Sequence, residues 1–181
     1  TETEHLRILN RVLSSFLLMD NVTAKALDSH IEDILIDKCN SSDDEVSRLA
    51  VQNLLYMTYQ TQGKLRIVDK DIHIGVANKY LKCKPDASMF MAFFGSAAQI
   101  TQAKKDFIKL GLAEEALKFV SESGDTTLVL NCLLLLTSLA EYGDMRKKLK
   151  MHMQTIEAVY DKDETGVLHE FVADLVNTIN W

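Results

Sequence analysis

The sequence predicts an all-α protein, wound as a right-handed α–α superhelix of about four repeats of roughly 40 residues. Three observations carry that expectation. The 181 residues include one proline and seven glycines, so breakers of regular structure are scarce. Apolar residues recur at spacings of three and four, as on amphipathic helices, and strand-like alternation is rare. The apolar pattern also returns along the chain at a nearly constant interval.

The first helical stripe is Leu6, Leu9, Val12, Leu13, Phe16 and Leu17. Another is Val46, Leu49, Ala50, Leu54 and Met57, directly after the acidic run Asp43-Asp44-Glu45. Ser42 to Glu45 has the S-x-x-E spacing of a capping box, in which both side chains satisfy unpaired backbone N–H groups. Asp86 after Pro85, Asp125 after Gly124, and Asp163 are further N-cap candidates.

Two apolar series set the period. Leu27 and Ile31 recur as Val68 and Ile72, then Ile108 and Leu112, then Leu149 and Met153, at steps of 41, 40 and 41 residues. Leu9, Leu13 and Phe16 recur as Ala50, Leu54 and Met57. Phe90, Phe94 and Ala97 follow, then Cys132, Leu136 and Leu139, and last Val172, Val176 and Ile179. The turn signals SSDD, KPDAS, SGDTT and DKDETG punctuate the same interval. We expect one domain with approximate units 1–40, 41–84, 85–123 and 124–181.

On these residues the sequence resembles the armadillo-repeat family, and more broadly the HEAT-like solenoids. Asp44-Glu45-Val46, Ala50, Leu54 and Met57 match the acidic entry and long third helix of an armadillo unit, and Arg66-Ile67-Val68 with Ile72 stands where a short helix follows. LLLLTSLAEYGDMRKKL at 133–149 is similar again, whereas Phe90, Phe94 and Gly95 depart from the small-residue pattern of such helices. Residues 133–149 with the following IEAVYDKDE also resemble, more weakly, the armadillo units of UCS-domain myosin chaperones. The Trp and Asn ladder of importin-α-type repeats is missing, the single Trp being Trp181. The resemblance implies a non-enzymatic scaffold that binds another protein, as an extended or helical segment, along a concave groove. A myosin-directed chaperone is the alternative.

The net charge of −6 argues against general binding to nucleic acid or anionic membranes, both of which need a basic field. No apolar run approaches the roughly 20 residues that span a bilayer; the longest, 128–136, is interrupted by Asn131. Cys39, Cys83 and Cys132 are odd in number and far apart. They read as buried free thiols in a reducing compartment, the cytoplasm or else the nucleus. TETEHLR at the start lacks the features of a secretory signal, and with no initiator Met the chain reads as a fragment of a larger protein.

Motifs that could carry chemistry are few. Asp43, Asp44 and Glu45 read as a helix start, where the macrodipole favours carboxylates. DKDETGVLHEFV at 161–172 matches the first half of a calcium loop through Asp161, Asp163, Thr165 and Gly166. Its twelfth position is Val172, which offers no oxygen. A calcium-responsive module is thus a further alternative, and an inter-helix turn the favoured reading. The five histidines show no metal-ligand spacing, no phosphate-binding glycine loop is present, and no metal or cofactor is expected. Lys104-Lys105 and Arg146-Lys147-Lys148-Lys150 read as solvated faces.

Binding residues follow from helix geometry. Where 50, 54 and 57 point into the core, residues two positions on point about 200° away. That rule selects Arg11, Gln52, Tyr56, Tyr59, Ser96, Gln99, Leu134 and Glu141 as the partner-binding face. Tyrosine and arginine are also frequent anchors of protein interfaces.

Overall fold

A computed structural model describes residues 2–83 and 86–181, so the turn expected at 84–88 falls partly outside the described residues. Every regular element among them is a helix. The chain begins with α1 (Glu2–Leu17). It continues in groups of two helices followed by a third that joins a common stack. The first group is α2 (Asp20–Asp28), α3 (Ile31–Cys39) and α4 (Asp44–Met57). Next come α5 (Thr61–Asp69), α6 (Ile72–Cys83) and α7 (Ala87–Ala97), then α8 (Thr101–Lys109), α9 (Leu112–Glu122) and α10 (Thr126–Ala140). In the last group α11 (Gly143–Lys150) precedes a broken pair, α12 (Met153–Glu157) and α13 (Val159–Lys162), and α14 (His169–Asn180). The stack runs α1–α4–α7–α10–α14. Each member needs its neighbour to bury an apolar face, which makes the molecule a solenoid.

Local signals repeat with the groups. His30, Asp71 and Gly111 all have left-handed backbone conformations, with φ of 54°, 56° and 78°. They sit 41 and 40 residues apart in the turn between the first two helices of successive groups. Such residues close a helix by turning the chain away from it. Asp43, Asp86 and Asp125 cap α4, α7 and α10 by accepting backbone N–H bonds from Val46, Met89 and both Thr127 and Leu128. The capping box expected from Ser42 is therefore displaced by one residue. Asp43 is the cap, and Glu45 turns away to pair with Arg7 and Arg11 of α1.

The two apolar series enter the core with one exception. Ala50, Leu54, Met57, Phe94, Ala97, Cys132, Leu136, Leu139 and Val172 are fully buried. Around α7 they form an aromatic cluster in which Phe94 meets Tyr80, Phe90, Phe93 and Phe107 at centroid distances of 5.2–6.1 Å. In α1, by contrast, Leu9 is 63% and Phe16 48% exposed, while Asn10 and Leu17 are buried. Among the described residues no helix covers this stripe, which lines an open apolar hollow with Ile31, Ile34 and Leu35 of α3. Cys83 also departs from expectation. It is exposed on the last residue of α6, whereas Cys39 and Cys132 are buried.

Side chains clasp successive groups at equivalent positions. The sixth residue of the leading helix reaches back to the start of the preceding middle helix: Arg66 to Glu32, Asp106 to His73, and Lys148 to Glu114. In the middle clasp the polarity is reversed. Much of the basic character seen in the sequence is consumed here and at Lys104, which donates to Glu141, so the runs 104–105 and 146–150 are only in part solvated faces. Gly63 marks a tight passage between α4 and α5: a Cβ there would lie 2.0 Å from the Met57 carbonyl oxygen, so only glycine fits.

Candidate functional site

Three stacked helices, α4, α7 and α10, form the floor of a groove. The middle helix presents Ala92, Gly95 and Ser96 toward it. Without side-chain bulk at Gly95, α10 approaches closely; a Cβ there would stand 3.5 Å from the Leu135 backbone nitrogen and 3.8 Å from the Leu134 Cβ. The small residues leave a cavity of about 430 Å³, walled by Leu55, Tyr59 and Lys64 on one side and by Asn131, Leu134 and Ser138 on the other. A second hollow of about 320 Å³ continues along α4 past Arg48, Gln52 and Tyr56 to Asp86, Ser88 and Met89. The two hollows share Leu55, Tyr59 and Asn131.

The predicted residues divide accordingly. Tyr59, Ser96, Gln99 and Leu134 come together around the larger cavity, and Gln52, Tyr56 and Tyr59 around the smaller. Tyr59 and Leu134 are large apolar side chains left 59% and 42% exposed. Gln52 Nε2 donates to the Tyr56 hydroxyl at 2.7 Å, and the Tyr56 and Tyr59 rings lie 5.8 Å apart. Partial burial, then the neighbouring Tyr56, pushes the Tyr59 phenol upward, so it stays a neutral donor. Ser96 is tied to the stack through a bond from Oγ to the Thr58 carbonyl.

Arg11 and Glu141 line neither hollow. Arg11 pairs with Glu45 across α1 and α4, and Glu141 accepts from Lys104. The two-position rule fails for them because α1 is the end of the stack and Glu141 lies beyond the end of α10.

Sequence reasoning missed the central residue, Asn131. It stands between the hollows and anchors α10 to α7 by donating from Nδ2 to the Ser88 carbonyl at 3.0 Å and to Ser88 Oγ at 3.3 Å. Its Oδ1 receives no hydrogen bond among the described residues and is free to accept one. The signal was visible as the single polar residue in LVLNCLLLL. Arg48 and Lys64, both on the rim, carried no sequence signal because neither belongs to a charged run.

Within 161–172, residues 163–168 form the turn between α13 and α14. Asp163 Oδ1 accepts from the Thr165 backbone N–H and hydroxyl, its Oδ2 from the Leu168 N–H, and Val172 is a core residue. Among the described residues, one cluster has metal-ligand spacing: His30, Glu32 and Asp33. It is occupied by cations of the chain. Lys70 bonds Glu32 and Asp33 at 2.8 Å each, and Arg66 lies 3.3 Å from Glu32. Burial raises the Glu32 carboxyl, but these donors and its own backbone N–H outweigh it and hold the group below the usual carboxylate range.

No protein-family model and no curated protein matches the chain in sequence. Solved structures match it in shape. A designed armadillo repeat protein superposes with a TM-score of 0.84 over 97% of this chain and 76% of its own, at 12% identity. Another, determined in complex with the peptide (KR)4, gives 0.84 over 98% and 77%, at 11% identity. Computationally designed armadillo repeat proteins for modular peptide recognition give 0.66 over 97% and 93%, at 10% identity. The fold is that of an armadillo-repeat solenoid. In the terms of that fold, α4, α7 and α10 are third helices, and the groove lies along their shared surface. Among the described residues, no helix is long and apolar enough to cross a membrane.

Proposed function

We propose that this armadillo-like solenoid is a non-enzymatic scaffold that binds a segment of another polypeptide in the groove of α4, α7 and α10. One observation carries the reading. Tyr59 and Leu134 stay exposed on opposite walls of a cavity floored by Ala92, Gly95 and Ser96, although the other large apolar side chains of α4, α7 and α10 are buried or half-buried. Apolar walls with Gln52, Gln99 and Asn131 between them suit a chain whose side chains are buried and whose peptide groups are hydrogen-bonded. The peptide complex of a designed neighbour supports the same use of this surface.

The chemistry of the buried groups favours a scaffold over an enzyme. Burial pushes the Cys39 and Cys132 thiols up to about 12, which leaves them protonated and poor nucleophiles. His73 is enclosed and bonded to Asp106. The same buried free thiols support a reducing compartment, the cytoplasm or nucleus. The likeness of 133–149 to myosin chaperones names one partner class; the groove supports a peptide partner without selecting myosin.

A photo-crosslinking amino acid in place of Gln99, on the rim, tests the proposal. The partner captured there should be released by the double substitution Tyr59→Ala, Leu134→Ala with the helical circular dichroism unchanged. Capture that is indifferent to both side chains would remove the groove from the mechanism.

A further inference from the structure

We infer that the groove selects an extended segment carrying an acidic residue beside a leucine-sized one, and so discriminates against basic peptides. The inference rests on the peptide-binding reading above and adds the chemistry of the peptide.

Charge pairing elsewhere in the molecule gives the argument. The chain has 26 acidic and 20 basic residues, and several of its cations reach carboxylates across the joints between groups. Arg7 meets Asp43, Arg11 meets Glu45, Arg66 and Lys70 meet Glu32, Lys104 meets Glu141, and Lys148 meets Glu114. The two cations that line the groove differ. Lys64 donates to a neutral acceptor, Gln99 Oε1, at 2.5 Å. An ammonium has three donors, so it keeps two for a ligand. Arg48, half-buried on the wall of the second hollow, forms no ion pair among the described residues. Other cations, Lys105 and Lys150 among them, also form no ion pair among the described residues, but Arg48 and Lys64 share one concave surface and so offer their charge to a ligand laid along it.

The groove also lacks what a basic peptide needs. The carboxylate that lines it is Asp86, and that group accepts from the Met89 N–H as the cap of α7. Glu141, just beyond the end of α10, is held by Lys104, and Glu45 by Arg7 and Arg11. A lysine or arginine laid along the groove would meet two cations, Arg48 and Lys64, against the one carboxylate of Asp86. Beside Lys64, the cavity of about 430 Å³ with its Tyr59 and Leu134 walls accepts an aliphatic side chain. Asn131 Oδ1 then stands ready for a peptide N–H. Charge sets the direction of preference, and the pocket sets the anchor.

The test uses the intact chain and three fluorescein-labelled octapeptides, (LE)4, (LK)4 and (KR)4, read by fluorescence anisotropy. The expected result is binding of (LE)4 that weakens as salt is raised, and that exceeds binding of (LK)4 and (KR)4 by about tenfold or more at low salt. Arg48→Glu with Lys64→Glu should reverse the order. Equal binding of (LE)4 and (LK)4, a preference for (KR)4, or no binding of any of the three overturns the inference. Leu134→Lys separates this failure from failure of the broader reading. If a basic peptide binds and Leu134→Lys releases it, the groove stands and only the charge assignment falls. If a bound peptide ignores Leu134→Lys, the groove reading falls as well.

Discussion

Two joints of the stack, α7–α10 and α1–α4, are built from different chemistry. Where α7 meets α10, apolar contact dominates: Gly95 faces the α10 backbone with room for no more than a methyl group, and Phe90, Phe93 and Phe94 fill the space behind. Where α1 meets α4, the joint is polar. Asn53, fully buried, donates from Nδ2 to the Asn10 carbonyl and Oδ1, and its own Oδ1 accepts from Ser14 Oγ at 2.6 Å. Arg7 and Arg11 add ion pairs to Asp43 and Glu45. A polar joint is specific in register and modest in net strength, because each bond replaces one to water. An apolar joint gains from every area it removes from water. In a nearly one-dimensional fold each joint acts on its neighbours alone, so the two should fail separately.

The sharpest way to break the comparison is to open a hole in the strong joint. Phe94→Ala removes a ring in contact with four other aromatic rings, and large-to-small changes of this kind cost about 3–5 kcal/mol. Phe16, which the sequence series equates with a core position, is the control. At 48% exposure its replacement by alanine should stay within about 0.5 kcal/mol. Denaturant unfolding of the two variants measures both, and equal losses would mean that α1 is covered in solution by something this structure does not contain.

That pair of residues also shows how far the sequence could be read. Periodicity at 3.6 and at about 40 residues reveals helix count, stacking order and most of the core, because every inner helix has the same two neighbours. It misplaces Leu9 and Phe16 because burial at an end depends on what is absent, and periodicity carries no such information. The group at 86–112 departs most from the small-residue pattern, yet its phenylalanines form the best-packed cluster; size rather than smallness fills that layer. Turns at His30 and Asp71 were invisible because left-handed conformations in residues other than glycine leave no mark in composition. Six of the eight predicted site residues line the groove. Asn131 and the cations Arg48 and Lys64 escaped because their roles depend on which partners lie across a joint.

A smaller effect is expected from the weak joint. Asn53→Ala leaves Asn10 and Ser14 with unmet polar groups, for a cost of about 1–3 kcal/mol. The loss should be local, with amide hydrogen exchange rising in α1 while α7 and α10 keep their protection. Uniform loss of protection throughout the stack would show that the joints are not independent and that the solenoid unfolds as one unit.

Acid offers the mildest way to separate the joints. The hydrogen bond from Arg7, followed by the N–H of Val46, holds the Asp43 carboxyl below its ordinary value. A carboxyl whose folded-state pKa is depressed stabilises the fold above its unfolded value, about 3.9 for aspartate, and that contribution disappears as pH falls through the lower folded value. The same proton removes the Arg7 pair and weakens the cap of α4. Both side chains are partly exposed, so solvent and salt screen the effect. NMR chemical shifts of α1 should therefore move as the pH falls below about 4, and Asp43→Asn should remove the part of that movement that lies below the range of ordinary carboxylates. Shifts near Phe94 should move less over the same range, since the Asp106 carboxylate reaches that aromatic cluster through His73 and Phe107 and not by direct contact. If α7 and α1 respond together, the contrast between a polar and an apolar joint is not what sets their stability.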